Sequence, residues 1–310
     1  MHGVLKVKTT EEKARELKVK ELLKIKEYKE VVSKFQEHKS VGVLDQIGLD
    51  ISKTVLEWNP EYYTVWNYRR DIFNHFDNTL EKEKVQELLT KEMKFIEECI
   101  QRFTKSYWVW FHRKWVSVRL EKCDWARELK LCYKLLDLDL RNFHCWSYRR
   151  FVEERSGMPM EKEFGYTTEK IEQNFSNYSA WHQRSSLIPQ MYPQPEQLFE
   201  KLKEEFEWVR NAVFTEPKDQ SCWIYHKWLV GTIKKIPNCN YKDVLLSEVD
   251  EINGLIEIEP DCKWPIYTLL TLKMELGVQD KSELQELVDK LKTIDRERIN
   301  YYLSLEKQWQ

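Results

Sequence analysis

Six tryptophans recur along this chain at similar intervals: Trp66, Trp110, Trp146, Trp181, Trp223 and Trp264 are separated by 44, 36, 35, 42 and 41 residues. Five stand in related strings: VWNYRR at 65–70, VWFHRKW at 109–115, CWSYRR at 145–150, AWHQR at 180–184 and CWIYHKW at 222–228. A degenerate sixth copy, KWPIY, lies at 263–267. A recurrence of roughly 20–50 residues marks stacked supersecondary units, none of which can bury its apolar face alone. The 310 residues therefore read as one repeat array rather than the two ordinary domains their number would suggest.

The sequence between anchors tells what each unit is. Apolar residues fall at three- and four-residue steps in ELLTKEMKFIEECI before Trp110, ARELKLCYKLLDLDL before Trp146 and LFEKLKEEFEWVRNAVF before Trp223, the period of an amphipathic helix. Eight glycines and nine prolines are too few for turn-dense sandwiches, barrels or glycine-hinged nucleotide folds. Each repeat is thus predicted to be a helical hairpin. Breakers stand at the joints, Asn59-Pro60, Glu216-Pro217 and Glu259-Pro260, with Asn142, Asn177 and Asp219 placed to cap the second helix. An Arg follows Trp by three residues at Arg69, Arg113, Arg149 and Arg184, so indole and guanidinium share a helix face. The indole is expected to wedge between neighbouring hairpins. The Arg is expected to tie its helix to a carboxylate or carbonyl of the adjoining repeat.

The ends differ from the middle. Residues 11–38 form a Lys/Glu-rich helix whose sparse apolar stripe, Leu17, Leu22, Ile25, Val32 and Phe35, suits docking rather than deep burial. Residues 281–308 have the same character and are expected to cap the array. The linkers at 153–165, 188–196 and 236–240 are too short to part domains. The expected layout is one helical-repeat domain over 1–310, with an N-terminal helix in 1–40, repeats over 45–270 and capping helices in 271–310.

Charge and cysteine usage narrow the function classes. Fifty basic against fifty-two acidic residues leave a net charge of −2, which gives no global field toward nucleic acid or an anionic membrane. No apolar run approaches a membrane span, and MHGVLKVKTTEEKARELK lacks the apolar block of a signal peptide, so a cytoplasmic protein is expected. The seven cysteines form no CxxC pair and mostly sit among apolar neighbours, as reduced core thiols do. Neither they nor the scattered histidines show metal-ligand spacing.

The anchors carry a resemblance as well. The series P-x-x-x-x-x-W-x-x-R-R, K-S-Y-x-x-W-x-x-R and R-N-F-H-x-W-x-Y-R-R resembles the repeats of protein prenyltransferase α subunits over about residues 45–270. The strings NFSNYSAWHQRSSLIPQ at 174–190 and FTEPKDQSCWIYHKWL at 214–229, with the N-terminal Met-His-Gly, look like the Rab geranylgeranyltransferase (type II) branch in its short, fungal-like form. The resemblance implies an all-α, right-handed superhelical crescent of helical hairpins, wrapped around a β subunit in an obligate heterodimer. It places zinc and the isoprenoid pocket on that β subunit, with magnesium as a further ion of the reaction. The implied reaction moves geranylgeranyl from geranylgeranyl diphosphate to C-terminal cysteines of a Rab GTPase presented by a Rab escort protein.

Prenyl transfer builds negative charge on the departing diphosphate, so a cation placed there lowers the barrier. The resemblance assigns that role to Lys105, five residues before Trp110, with Tyr107 and His144 beside it. Phe143 stands where some relatives have a Tyr hydroxyl. An arbitrary loop Lys is ordinarily a solvated charge, and only the motif lifts Lys105 above that. His144 reads equally well as a capping or core residue, and Tyr107 as packing. His2, on a free terminus, reads as a mobile residue, with reaching the partner's metal as the alternative. The alternatives are the α subunit shared by farnesyltransferase and geranylgeranyltransferase type I, and a non-catalytic helical-repeat scaffold. Tetratricopeptide arrays repeat every ~34 residues around small packing positions, unlike these Trp/Arg-centred units.

Overall fold

The structure, a computed structural model, describes residues 10–278 and 280–308. It is all-α: among the described residues there are fifteen α-helices, one 3-10 turn and no strand. The N-terminal motif residues, including His2, lie outside the described residues. Contacts group the chain into two compact units, Met1–Leu138 with Asn142–Ser156, and Asp139–Arg141 with Gly157–Gln310.

The first unit contains α1 (Glu11–Ser40), α2 (Gln46–Trp58), α3 (Tyr63–Thr79), α4 (Lys82–Arg102), α5 (Tyr107–Arg119), α6 (Trp125–Leu138) and α7 (Phe143–Ser156). After α1, the helices pair as hairpins α2/α3, α4/α5 and α6/α7, and the second helices also pack on one another, α3 on α5 and α5 on α7. Only the end of α1 docks as its stripe suggested. Phe35 is buried against Tyr62 and Tyr68, while Leu17, Leu22 and Ile25 are exposed.

The second unit contains α8 (Met160–Gln173), α9 (Tyr178–Met191), α10 (Pro195–Thr215), α11 (Gln220–Ile233), α12 (Tyr241–Ile258), α13 (Lys263–Leu276), α14 (Lys281–Ile294), the 3-10 turn Arg296–Arg298 and α15 (Ile299–Glu306). Its hairpins are α8/α9, α10/α11 and α12/α13, with α9 on α11 and α11 on α13. The end of the chain packs Leu284, Val288, Leu291 and Tyr302 against Ile266 and Leu270 of α13.

Local chemistry explains the hairpins. Asn59, Glu216 and Glu259 are C-caps, and each precedes a Pro that cannot extend the amide ladder. Asn177 and Asp219 accept from the Ala180 and Ser221 amides, and Asn142 Oδ1 accepts from the His144 and Cys145 amides, so donors otherwise orphaned at the helix start are satisfied. Each of Trp66, Trp110, Trp146, Trp181 and Trp223 is the fourth residue of its helix.

The anchors do more than fill space. The indole N–H of Trp66, Trp110, Trp181 and Trp223 donates to the carbonyl six residues upstream, at Pro60, Thr104, Phe175 and Pro217, over 2.8–2.9 Å. Each ring thus pins the loop that begins its own helix. The same rings meet the next repeat: Trp66 lies 4.7 Å from His112, Trp110 5.4 Å from Tyr148 and Trp181 4.5 Å from Tyr225, between ring centroids. The expected wedge between hairpins is present.

Candidate functional site

The arginines bridge repeats. In the first unit, Arg69 pairs through two nitrogens with Glu92 at the start of the next repeat and also bonds the Leu49 carbonyl and Ser52 of its own. Arg113 pairs with both oxygens of Glu128 at 2.7 Å. In the second unit, Arg184 does the same to Glu205 at 2.7 Å. Each carboxylate also receives a donor two residues after its own repeat's Trp: His112 on Glu92 at 2.9 Å, Tyr148 on Glu128 at 2.8 Å and Tyr225 on Glu205 at 2.7 Å. After Trp223 the Arg position holds His226, which still reaches Glu248 at 2.9 Å. Arg149 lies within 3.3 Å of Glu153 on its own helix.

These carboxylates are buried, and a buried charge survives only when paired and hydrogen-bonded. Burial works against the ionised form of Glu92, but Arg69 and His112 overcome it and hold the carboxyl at about 2. Glu205 and Glu248 are likewise held below the usual carboxylate range, by Arg184 with Tyr225 and by His226 with Arg210. Within each unit the network ties one hairpin to the next and leaves these arginines inside the scaffold.

Lys105, Tyr107 and His144 converge in the first unit. Lys105 is exposed in the turn between α4 and α5, Tyr107 opens α5 at 62% exposure and His144, the second residue of α7, is 7% exposed. The Tyr107 and His144 rings meet edge to face with centroids 4.3 Å apart, and the Lys105 carbonyl accepts a hydrogen bond from the His144 ring. Phe143 packs on His144 with centroids 4.0 Å apart, next to Tyr107 at 5.8 Å, and brings no hydroxyl.

Asn142 holds the two loops together. Its amide donates to the Thr104 carbonyl at 3.0 Å while its oxygen caps α7. Since Trp110 donates to that same carbonyl at 2.9 Å, the residue just before Lys105 is clamped from both repeats. Burial pushes the His144 imidazole below its ordinary value; Glu61 and the Lys105 carbonyl oppose this, and the Lys105 charge adds to it. The result is a neutral ring with one N–H committed to the Lys105 loop, beside an exposed ammonium and an exposed phenol ring. Such a corner can receive an anion. Among the described residues no group of three His, Cys, Asp or Glu could hold a metal, so no step is assigned to one on this chain.

The clamp and the carboxylate partners escaped the sequence. Glu92, Glu128 and Glu205 lie in strings of Lys and Glu where nothing singles out one carboxylate, and the only usable signal is a Glu recurring in the first helix of each repeat.

Stacked hairpins pinned by indole and guanidinium define a helical-repeat protein of the Trp/Arg-anchored class. The chain belongs to the protein prenyltransferase α-subunit family: the protein prenyltransferase alpha subunit repeat matches residues 48–76, 89–120, 125–156, 160–191 and 202–233. These are the hairpins α2/α3 through α10/α11. The chain is 59% identical to a geranylgeranyl transferase type-2 subunit alpha of Dictyostelium discoideum, over 99% of both chains. It is 35% identical to that of Schizosaccharomyces pombe, over 99% of this chain and 98% of the relative. The human subunit of the same name is 42% identical over 74% of this chain, a stretch that spans 42% of its own length. Among solved structures, a Candida albicans protein geranylgeranyltransferase-I complexed with GGPP aligns with a TM-score of 0.73 at 20% identity, over 92% of this chain and 91% of that one. At that identity the likeness is one of fold.

Proposed function

We propose that this chain is the α subunit of a heterodimeric geranylgeranyltransferase of the type-2 branch. It carries geranylgeranyl transfer from geranylgeranyl diphosphate to C-terminal cysteines of a Rab GTPase presented by an escort protein. Zinc and the isoprenoid pocket belong to the β subunit in this reading. The supporting observation is the double clamp on Thr104, which fixes Lys105 beside His144 and Tyr107. As the bond from the allylic carbon to diphosphate oxygen breaks, charge builds on the leaving group, and a positioned ammonium stabilises it. The identity to relatives named as type-2 alpha subunits, over nearly the full length of each, supports the choice of branch.

The test is reconstitution. Co-expressed with a type-2 β subunit, the chain should support transfer to a Rab protein ending in cysteines, and neither subunit should do so alone. Transfer by the isolated chain, or only with a type-I β subunit, would refute the assignment.

A further inference from the structure

The second unit holds a cavity of about 510 Å³ between α11, α13, the 3-10 turn and α15. That volume lies in the range of small-molecule sites, roughly 300–1,000 Å³. Its walls are largely apolar and aromatic, with Trp223, Val230, Trp264 and Leu272 among them. Its charges are unbalanced. Lys227, Lys234, Lys263 and Arg298 face it against only Glu275 and Asp295. Lys234 is paired with Glu275 at 2.6 Å, and Lys263 and Arg298 share Asp295 at 3.3 and 2.8 Å. Lys227 has no ion pair among the described residues; its ammonium lies 6.0 Å from the Tyr267 ring centroid.

A second donor stands beside it. The Tyr267 and Tyr301 hydroxyls are 2.8 Å apart, so one phenol donates to the other and the acceptor keeps a proton with no partner among the described residues. Burial and the Tyr267 hydroxyl raise Tyr301 to about 12, with the Lys227 charge acting against them, so this phenol remains a donor at neutral pH. An unpaired ammonium and a spare phenolic O–H at one edge of an apolar chamber are complementary to an oxygen anion attached to an apolar body.

We propose that this cavity binds a small apolar molecule with an oxyanion head, a carboxylate or a phosphate held by Lys227 and the Tyr267/Tyr301 pair, its body lying against Trp223, Trp264 and Leu272. This site is independent of the reaction assigned to Lys105. Gly231 offers a clean way to close it: it lines the cavity, its φ lies outside the left-handed region, and a Cβ added there meets nothing within 4 Å.

The experiment is calorimetric titration of the full chain, co-purified with its β subunit, with decanoate, decyl phosphate and decan-1-ol. One or both anions should bind at least about tenfold more tightly than the alcohol, the tighter identifying the head group. Lys227→Ala should weaken the anion about tenfold, and Gly231→Leu should abolish binding while leaving transfer activity intact. Anions that bind no better than the alcohol, or unchanged affinity in either variant, would overturn the proposal. Absence of binding would do the same, and would leave the reading of Lys105 untouched.

Discussion

Tyr107 and His144, 37 residues apart in the chain, meet at an interplanar angle of 88° with ring centroids 4.3 Å apart. The contact joins the first residue of α5 to the second of α7, so two successive repeats share one corner. Its chemistry depends on the state of the imidazole. Burial lowers the His144 pKa, and the Lys105 carbonyl takes one ring N–H. The other ring nitrogen is an acceptor in the neutral form and becomes a donor on protonation.

An anion arriving at this corner would draw a proton onto that nitrogen, because opposite charge favours the protonated ring. Affinity of the heterodimer for geranylgeranyl diphosphate should therefore rise as pH falls from 8 to 6. His144→Asn should flatten the dependence, leaving only the ligand's own titration. Fluorescence titration across that range checks it, and parallel curves for the two proteins would exclude proton uptake at His144.

The Arg184–Glu205 pair tests what holds repeats together. Both groups are buried, at 4% and 1% exposure, and joined by two 2.7 Å bonds. Removing one partner of a buried pair strands the other charge, at a cost of about 3–5 kcal/mol. Arg184→Met should therefore destabilise strongly in chemical denaturation. Arg184→Met combined with Glu205→Leu should recover much of the loss, because two apolar groups of similar size leave no orphan charge. A double variant as unstable as the single one would contradict this account.

What was legible in the sequence follows from what is periodic. The hairpins, the caps at Asn142, Asn177 and Asp219, and the shared face of Trp and Arg all lie within a few residues of one another, where helix geometry determines the neighbour. Glu92, Glu128 and Glu205 lie 23, 15 and 21 residues beyond their arginines, and only packed hairpins bring them together. The double hydrogen bond on the Thr104 carbonyl was hidden for the same reason: a backbone oxygen has no sequence signature. The exposed half of α1 shows the converse error, since Leu17, Leu22 and Ile25 form an apolar pattern with no partner in this chain among the described residues. Lys105 was legible only through its motif, because one exposed lysine looks like any other.

His112 makes stability depend on pH. It is fully buried, and burial, aided by Arg69 and Arg70, lowers its pKa despite the hydrogen bond to Glu92. The unfolded chain then binds a proton below about 6.5 that the native ring refuses. Its stabilising contribution is present above that pH and is lost as pH falls through the lowered native value. The slope for a single proton is at most ~1.4 kcal/mol per pH unit. Glu92, held at about 2, adds its own loss only below about 4.5, so on acidification the His112 contribution begins to fall first. Denaturation of His112→Gln between pH 7.5 and 5.5 should show a shallower decline than the parent. Equal slopes would mean that His112 does not titrate in this window.

Lys105→Ala isolates the leaving-group cation. The side chain is exposed, and the fold at this point is held by Asn142, Trp110 and the Thr104 carbonyl, so assembly with the β subunit should survive. A cation that acts on charge developing in the transition state affects turnover more than ground-state binding. The purified heterodimer should therefore lose about 10²–10³-fold in kcat with a smaller change in KM for the protein acceptor. Lys105→Arg retains the charge but not the geometry, and should fall between the two. Single-turnover rates separate this from slow product release. Wild-type turnover in Lys105→Ala would remove the residue from the chemistry and leave it as an ordinary loop lysine.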